Sequence, residues 1–141
     1  MTTANIIDEL NQLAIDSSED HARLDRLDEL MARLVENHDG QLACEAMLNV
    51  LERHPQVDFG TPGQLVHTLE SYRGQYEGLL LTSLNRQPTA MTVWLLNRMI
   101  NAATGTEKNQ FVAHLHRLRT HPRADAEAQD AAEAFYRFQM Q

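Results

Sequence analysis

Pro55, Pro88 and Pro122 stand 33 and 34 residues apart, and each closes the same phrase, Leu-x-x-Leu-x-x-x-Pro. The leucine pairs are Leu48/Leu51, Leu81/Leu84 and Leu115/Leu118. Proline cannot continue a helix, and the residue before it is pushed out of helical backbone geometry, so each phrase reads as the end of a helix with its leucines on one face. Gly40, Gly74 and Gly105 precede the three phrases. The repeated unit is therefore helix, glycine break, helix, proline. A period of this size belongs to stacked helix pairs of the HEAT or armadillo kind. It predicts an all-α fold of about eight helices, near residues 4–15, 19–37, 41–53, 62–72, 75–86, 89–103, 106–120 and 124–139. Three of the pairs stack, and the first and last helices close the ends. An irregular helical bundle is the alternative.

Local signals agree with this pattern. Leu24, Leu27, Met31 and Leu34 recur at helical spacing, as do Leu65, Val66 and Leu69, and no strand alternation competes with them. Thr61-Pro62-Gly63-Gln64 reads as a capping box with proline at the first helical position, and Thr104-Gly105-Thr106-Glu107 as a stop and restart. At 141 residues the chain is expected to form one helical domain over residues 1–141. A lone cysteine, an N-terminus without a signal-peptide pattern, and no apolar run near the ~20 residues that cross a bilayer point to a cytoplasmic protein outside the membrane.

Charge is distributed unevenly. Residues 1–60 hold thirteen carboxylates and four arginines, whereas residues 61–141 hold seven acids against eight bases. A field of that sign repels phosphate backbones, so no direct nucleic-acid contact is expected and cationic partners are favoured. The alternative is that the acidic helices simply keep a small protein soluble.

The residues that invite a chemical reading have simpler ones. Asp58-Phe59-Gly60 lacks the loop, lysine and catalytic segment that give such a triplet a role in kinases, and Gly60-Thr61-Pro62-Gly63 lacks the Lys-Ser/Thr pair of a nucleotide loop. His114 and His116 are two apart on a helix, so they face apart and share no ion. His54 and His121, before Pro55 and Pro122, suit the free carbonyls of a helix end. Cys44 shares an apolar face with Met47, Leu48 and Leu51, where a thiol is protonated and inert. Glu19 with Arg23, and Glu29 with Arg33, have the spacing of exposed ion pairs. Trp94, Phe111, Phe135 and Phe138 fit core faces. No catalytic residue, metal site or cofactor is expected.

The segments Val57-Asp58-Phe59-Gly60-Thr61-Pro62-Gly63-Gln64-Leu65-Val66-His67 and Pro88-Thr89-Ala90-Met91-Thr92-Val93-Trp94-Leu95-Leu96-Asn97-Arg98-Met99-Ile100-Asn101 resemble a family of small helical bacterial immunity proteins, encoded beside polymorphic or contact-dependent growth-inhibition toxins. The resemblance covers about a third of the chain and lies mostly in turns, caps and core. It implies binding to the C-terminal domain of a cognate toxin, often a nuclease, as a monomer in a 1:1 complex that covers the toxin's active site. Such protection demands affinity near or below ~1 nM, about −12 kcal/mol, over an interface of about 1,600 Å². The resemblance carries no contact residues with it. Charge places them at Asp16, Glu19, Asp20, Glu36 and Asp39. The aromatic and charged residues around the Gly74 break add Glu70, Tyr72, Arg73 and Tyr76. A helical-repeat adaptor unrelated to toxins, docking a peptide or a domain, is the second reading.

Overall fold

The computed structural model describes residues 1–60 and 62–141; Thr61, the first residue of the expected capping box, lies outside them. Among the described residues the chain is all-α: α1 (Thr3–Gln12), α2 (His21–Leu34), a 3₁₀ turn (Gly40–Ala43), α3 (Cys44–Arg53), α4 (Gln64–Ser71), α5 (Glu77–Arg86), α6 (Ala90–Ala102), α7 (Gly105–Leu118) and α8 (Ala126–Gln139). Contacts divide it into two compact units, Met1–Leu79 and Leu80–Gln141, with the boundary inside α5. No helix is long and apolar enough to cross a membrane among the described residues.

In the first unit α1 packs on α3, on the 3₁₀ turn and on α2, while α4 packs on α2 and α3. Ile6 and Leu10 of α1, Leu27, Leu30, Met31 and Leu34 of α2, Met47, Leu48 and Leu51 of α3, and Leu65 and Leu69 of α4 are almost fully buried. Their spacing of three and four gives each helix the one apolar stripe that a layered helical core needs. The partners of α2 are chiefly α1 and α4 rather than α3, so the pairing expected across Gly40 is not the dominant contact here. In the second unit α6, α7 and α8 pack mutually; α6 and α7 meet across Gly105, but each packs more extensively on α8 than on the other.

The repeated leucines serve burial in both units: Leu48, Leu51, Leu84, Leu115 and Leu118 are at most 2% exposed, and only Leu81 is half-buried. The glycines act for different reasons. A Cβ on Gly40 would collide with the Tyr72 hydroxyl and stand 3.0 Å from the Leu34 carbonyl, so this position is closed by proximity. Gly74 has φ +94°, a left-handed turn with open space around it, closed by the Glu77 carboxylate accepting from its N–H at 2.9 Å.

Several local expectations need correction. The first helix stops at Gln12, because Leu13 is extended and the Ile15 N–H turns to His54 Nε2 at 3.0 Å. The fourth begins at Gln64 behind Gly63, with no side-chain cap. A capping box does exist elsewhere, on α6, where the Thr89 hydroxyl accepts from the Thr92 N–H and the Thr92 hydroxyl accepts from the Thr89 N–H. Neither expected i, i+4 ion pair forms. Arg23 turns back to Asp16 and Asp20, and Glu29 meets Arg26.

The aromatics of the second unit are not central core. Trp94 is half-buried under the Arg98 guanidinium, 4.8 Å from the ring centroid, Phe111 and Phe135 are half-buried, and Phe138 is 57% exposed. α8 is buried through Ala128 and Ala132, whose small side chains permit close helix approach and leave the larger rings on the flanks.

Candidate protein-binding surface

The nine residues singled out by charge and aromatic character all lie in the first unit, and the fold sorts them into three groups. Some hold the scaffold. Asp20 caps α2 by accepting from the Arg23 N–H, and it also receives the Asp16 N–H and the Arg23 guanidinium at 3.0 Å. Those bonds, the Asp16 amide foremost, keep its carboxyl below the usual range. Asp39 accepts from the Thr3 hydroxyl at 2.6 Å, which fastens the start of α1 to the 3₁₀ turn. Tyr76 is 5% exposed and belongs to the core, so it is no contact residue in this fold. Tyr72 is half-buried with its hydroxyl against Gly40, and burial pushes its phenol upward. Glu70 is half-buried and engaged by neighbours.

Asp16 is intermediate in role: its carboxylate is 81% exposed yet pairs with Arg23 at 3.1 Å. Glu19, Glu36 and Arg73 are exposed and outside any cap or buried bond, Glu19 having only the exposed His21 ring at 3.6 Å. These last three are the ones open to a partner.

Three of the four arginines of residues 1–60 are engaged within the unit. Arg23 holds Asp16 and Asp20. Arg26 forks onto Glu9, at 2.8 Å from Nε and 2.5 Å from Nη2, and also meets Glu29 at 3.0 Å. Arg53 caps the C-terminal end of α1 by donating to the carbonyls of Leu10 and Leu13. Most of the positive charge is thus consumed locally; exposed Arg33 and Arg73 remain, outnumbered by the carboxylates beyond its reach.

A feature that charge counting missed lies on the outer face of α2. Asp28, Met31, Ala32 and Val35 of that segment and Gln64 and Thr68 of α4 line an open groove of about 410 Å³. Met31 is the buried floor, while Ala32 is exposed and Val35 is 56% exposed. Asp28 makes no hydrogen bond or ion pair among the described residues, and its carboxyl is pushed up by partial burial and by neighbouring Asp25. The sequence signal was present: Ala32 and Val35 sit beside the Leu27, Leu30, Met31, Leu34 stripe and widen the apolar face beyond what the core uses.

His54, His121 and Cys44 are built into the scaffold. His54 accepts from the Ile15 N–H through Nε2, so its Nδ1 carries the proton and donates to the Val50 carbonyl at 2.6 Å. His121 reverses the roles in the second unit, with Nε2 bonded to the Asn85 carbonyl and Nδ1 accepting from the Arg123 N–H. Both tie a helix end before its proline. His114 lines a smaller groove with Leu81 and Phe111, and His116 packs its ring edge-on to Tyr136 at 5.0 Å. Cys44 is 1% exposed, and burial pushes its thiol up to about 11. No group of three or more His, Cys, Asp or Glu is gathered closely enough to hold a metal ion among the described residues. No protein-family model, curated protein or solved structure matches the chain.

Proposed function

We propose that this protein is an immunity protein, which binds the C-terminal domain of a cognate toxin and blocks it without chemistry of its own. The observation that carries the reading is the unbalanced acidic surface of the first unit, where Arg23, Arg26 and Arg53 are taken up by internal bonds while Glu19, Asp25, Asp28 and Glu36 are left outward. A nuclease domain presents a basic substrate cleft, and a surface of opposite sign speeds encounter and sets orientation. The segments around Val57–His67 and Pro88–Asn101 support the same family by resemblance. Their turns and caps belong to the scaffold, consistent with recognition being carried elsewhere.

The test is kinetic. Any toxin domain that the genes beside this chain's encode is titrated against the parent and against Glu19→Lys/Glu36→Lys, two carboxylates outside any cap. Association is expected to slow with rising salt and in the charge-reversed protein, dissociation to change much less, and protection of toxin-expressing cells to weaken. Equal association and equal protection by the two proteins refute the electrostatic mode. Failure of every neighbouring toxin domain to bind removes the toxin reading and leaves the adaptor in its place.

A further inference from the structure

We infer that the groove between α2 and α4 is the docking site for a cationic amphipathic helix of the protein partner. This deepens the partner-binding reading and rests on it. The groove sets apolar surface that the core does not use, at Ala32 and Val35, beside the polar Asp28, Gln64 and Thr68. Leu27, Leu30, Met31 and Leu34 complete the buried stripe of α2, and Ala32 and Val35 lie outside it, in water. A covering side chain would recover that apolar surface.

The charges around the groove are arranged along it. Asp28, at the middle of α2, lines the groove; Asp25 stands about one turn before it and Glu36 just past the C-terminal end of the helix, with exposed Arg33 between. None of the three carboxylates has an ion pair among the described residues. From Asp25 to Glu36 the rise along a helix is about 16 Å, or roughly three turns. A third helix lying in the trough between two others offers side chains at i, i+3, i+4 and i+7 to such a surface. The complementary segment carries apolar residues over Ala32 and Val35, bracketed by lysine or arginine about three turns apart. The groove is open and shallow, which suits a helix face rather than an enclosed small ligand. The sign of its rim excludes nucleic acid and anionic lipid.

The probe is a 15-residue helical peptide with leucines on one face and lysines at positions i and i+11, titrated into the full-length isotope-labelled protein. A second peptide replaces the lysines with glutamates. Shift changes are expected to concentrate at residues 25–36 and 64–68 with the lysine peptide alone. Asp28→Lys and Val35→Glu, both on the exposed ridge, are expected to weaken binding at least tenfold with the helical spectrum unchanged. Shifts centred elsewhere, or equal affinity in both variants, overturn the inference. The cognate toxin separates this from the wider reading. If Asp28→Lys and Val35→Glu bind the toxin as the parent does, the groove is refuted and the immunity function survives. If the lysine peptide fills the groove while no toxin forms a complex, the groove survives and the immunity function is lost.

Discussion

His54 joins two segments that are not adjacent in sequence, and its removal gives the sharpest test of how the first unit is held. The ring fills two backbone valences at once, the Ile15 N–H at 3.0 Å and the Val50 carbonyl at 2.6 Å, and its edge meets Phe59 with centroids 6.5 Å apart. Ile15 is only 6% exposed, so its freed amide has poor access to water. An unsatisfied buried donor costs about 1–3 kcal/mol, and the lost bond to Val50 adds about 0.5–1.5 kcal/mol. His54→Phe, which retains a ring against Phe59, is therefore expected to cost about 3 kcal/mol, the middle of the summed range of about 1.5–4.5 kcal/mol. His54→Gln, with one donor and one acceptor, should recover part of that. Urea unfolding followed by far-ultraviolet circular dichroism gives the total, and amide hydrogen exchange gives the location. Exchange at Ile15 should accelerate by about 30-fold or more, at ~1.4 kcal/mol per tenfold. If His54→Phe unfolds within about 0.5 kcal/mol of the parent and Ile15 stays protected, packing rather than hydrogen bonding holds this junction.

Two further outcomes follow from the titrating groups. Cys44 should react with a thiol reagent about a hundredfold more slowly at pH 8 than a free thiol, even before steric protection, because burial pushes its pKa up to about 11. Its folded pKa is the higher one, so its contribution to stability is intact below the unfolded value near 9 and is lost as pH rises toward 11; a denaturation midpoint rising across that window would contradict the burial. The Arg26 fork holds the Glu9 carboxyl below its ordinary value of 4.5, so the stability it lends is present above that pH and is lost on acidification; Glu9→Gln should flatten the acid limb of the midpoint-versus-pH curve, and an unchanged limb would mean the pair is screened away.

The helices were legible because their ends are written in residue chemistry. Pro55, Pro88 and Pro122 halt helices in any context, and the stripe in α2 fixes a buried face. What escaped depends on partners distant in sequence. Helix α1 ends early because Ile15 finds His54, some forty positions away. Local pattern is not always enough either: Tyr76, a candidate contact beside a glycine break, is buried, with Glu77 closing that turn on the Gly74 N–H. Trp94 sits on a helix apolar on most sides, and periodicity alone could not tell which side α8 would cover. For the proposed binding surface, sequence supplied the sign of the charge and its concentration in residues 1–60. It did not separate a carboxylate that caps a helix, Asp20, from one that faces outward, Glu36, since both are acids in an acidic stretch.

That separation bears on how freely the protein can be altered. Replacing Asp20, Asp39 or Glu9 removes a cap, a tether or a fork, and the loss is felt in the fold before any partner arrives. Replacing Asp25, Asp28 or Glu36 breaks no bond among the described residues, so the outer face of α2 can exchange its charges while α1, α3 and α4 keep their places. Mutational tolerance and exposure to the surroundings coincide on one ridge. A library randomised at those three positions and at Ala32 and Val35 would therefore sample new specificities from a population in which most members still fold.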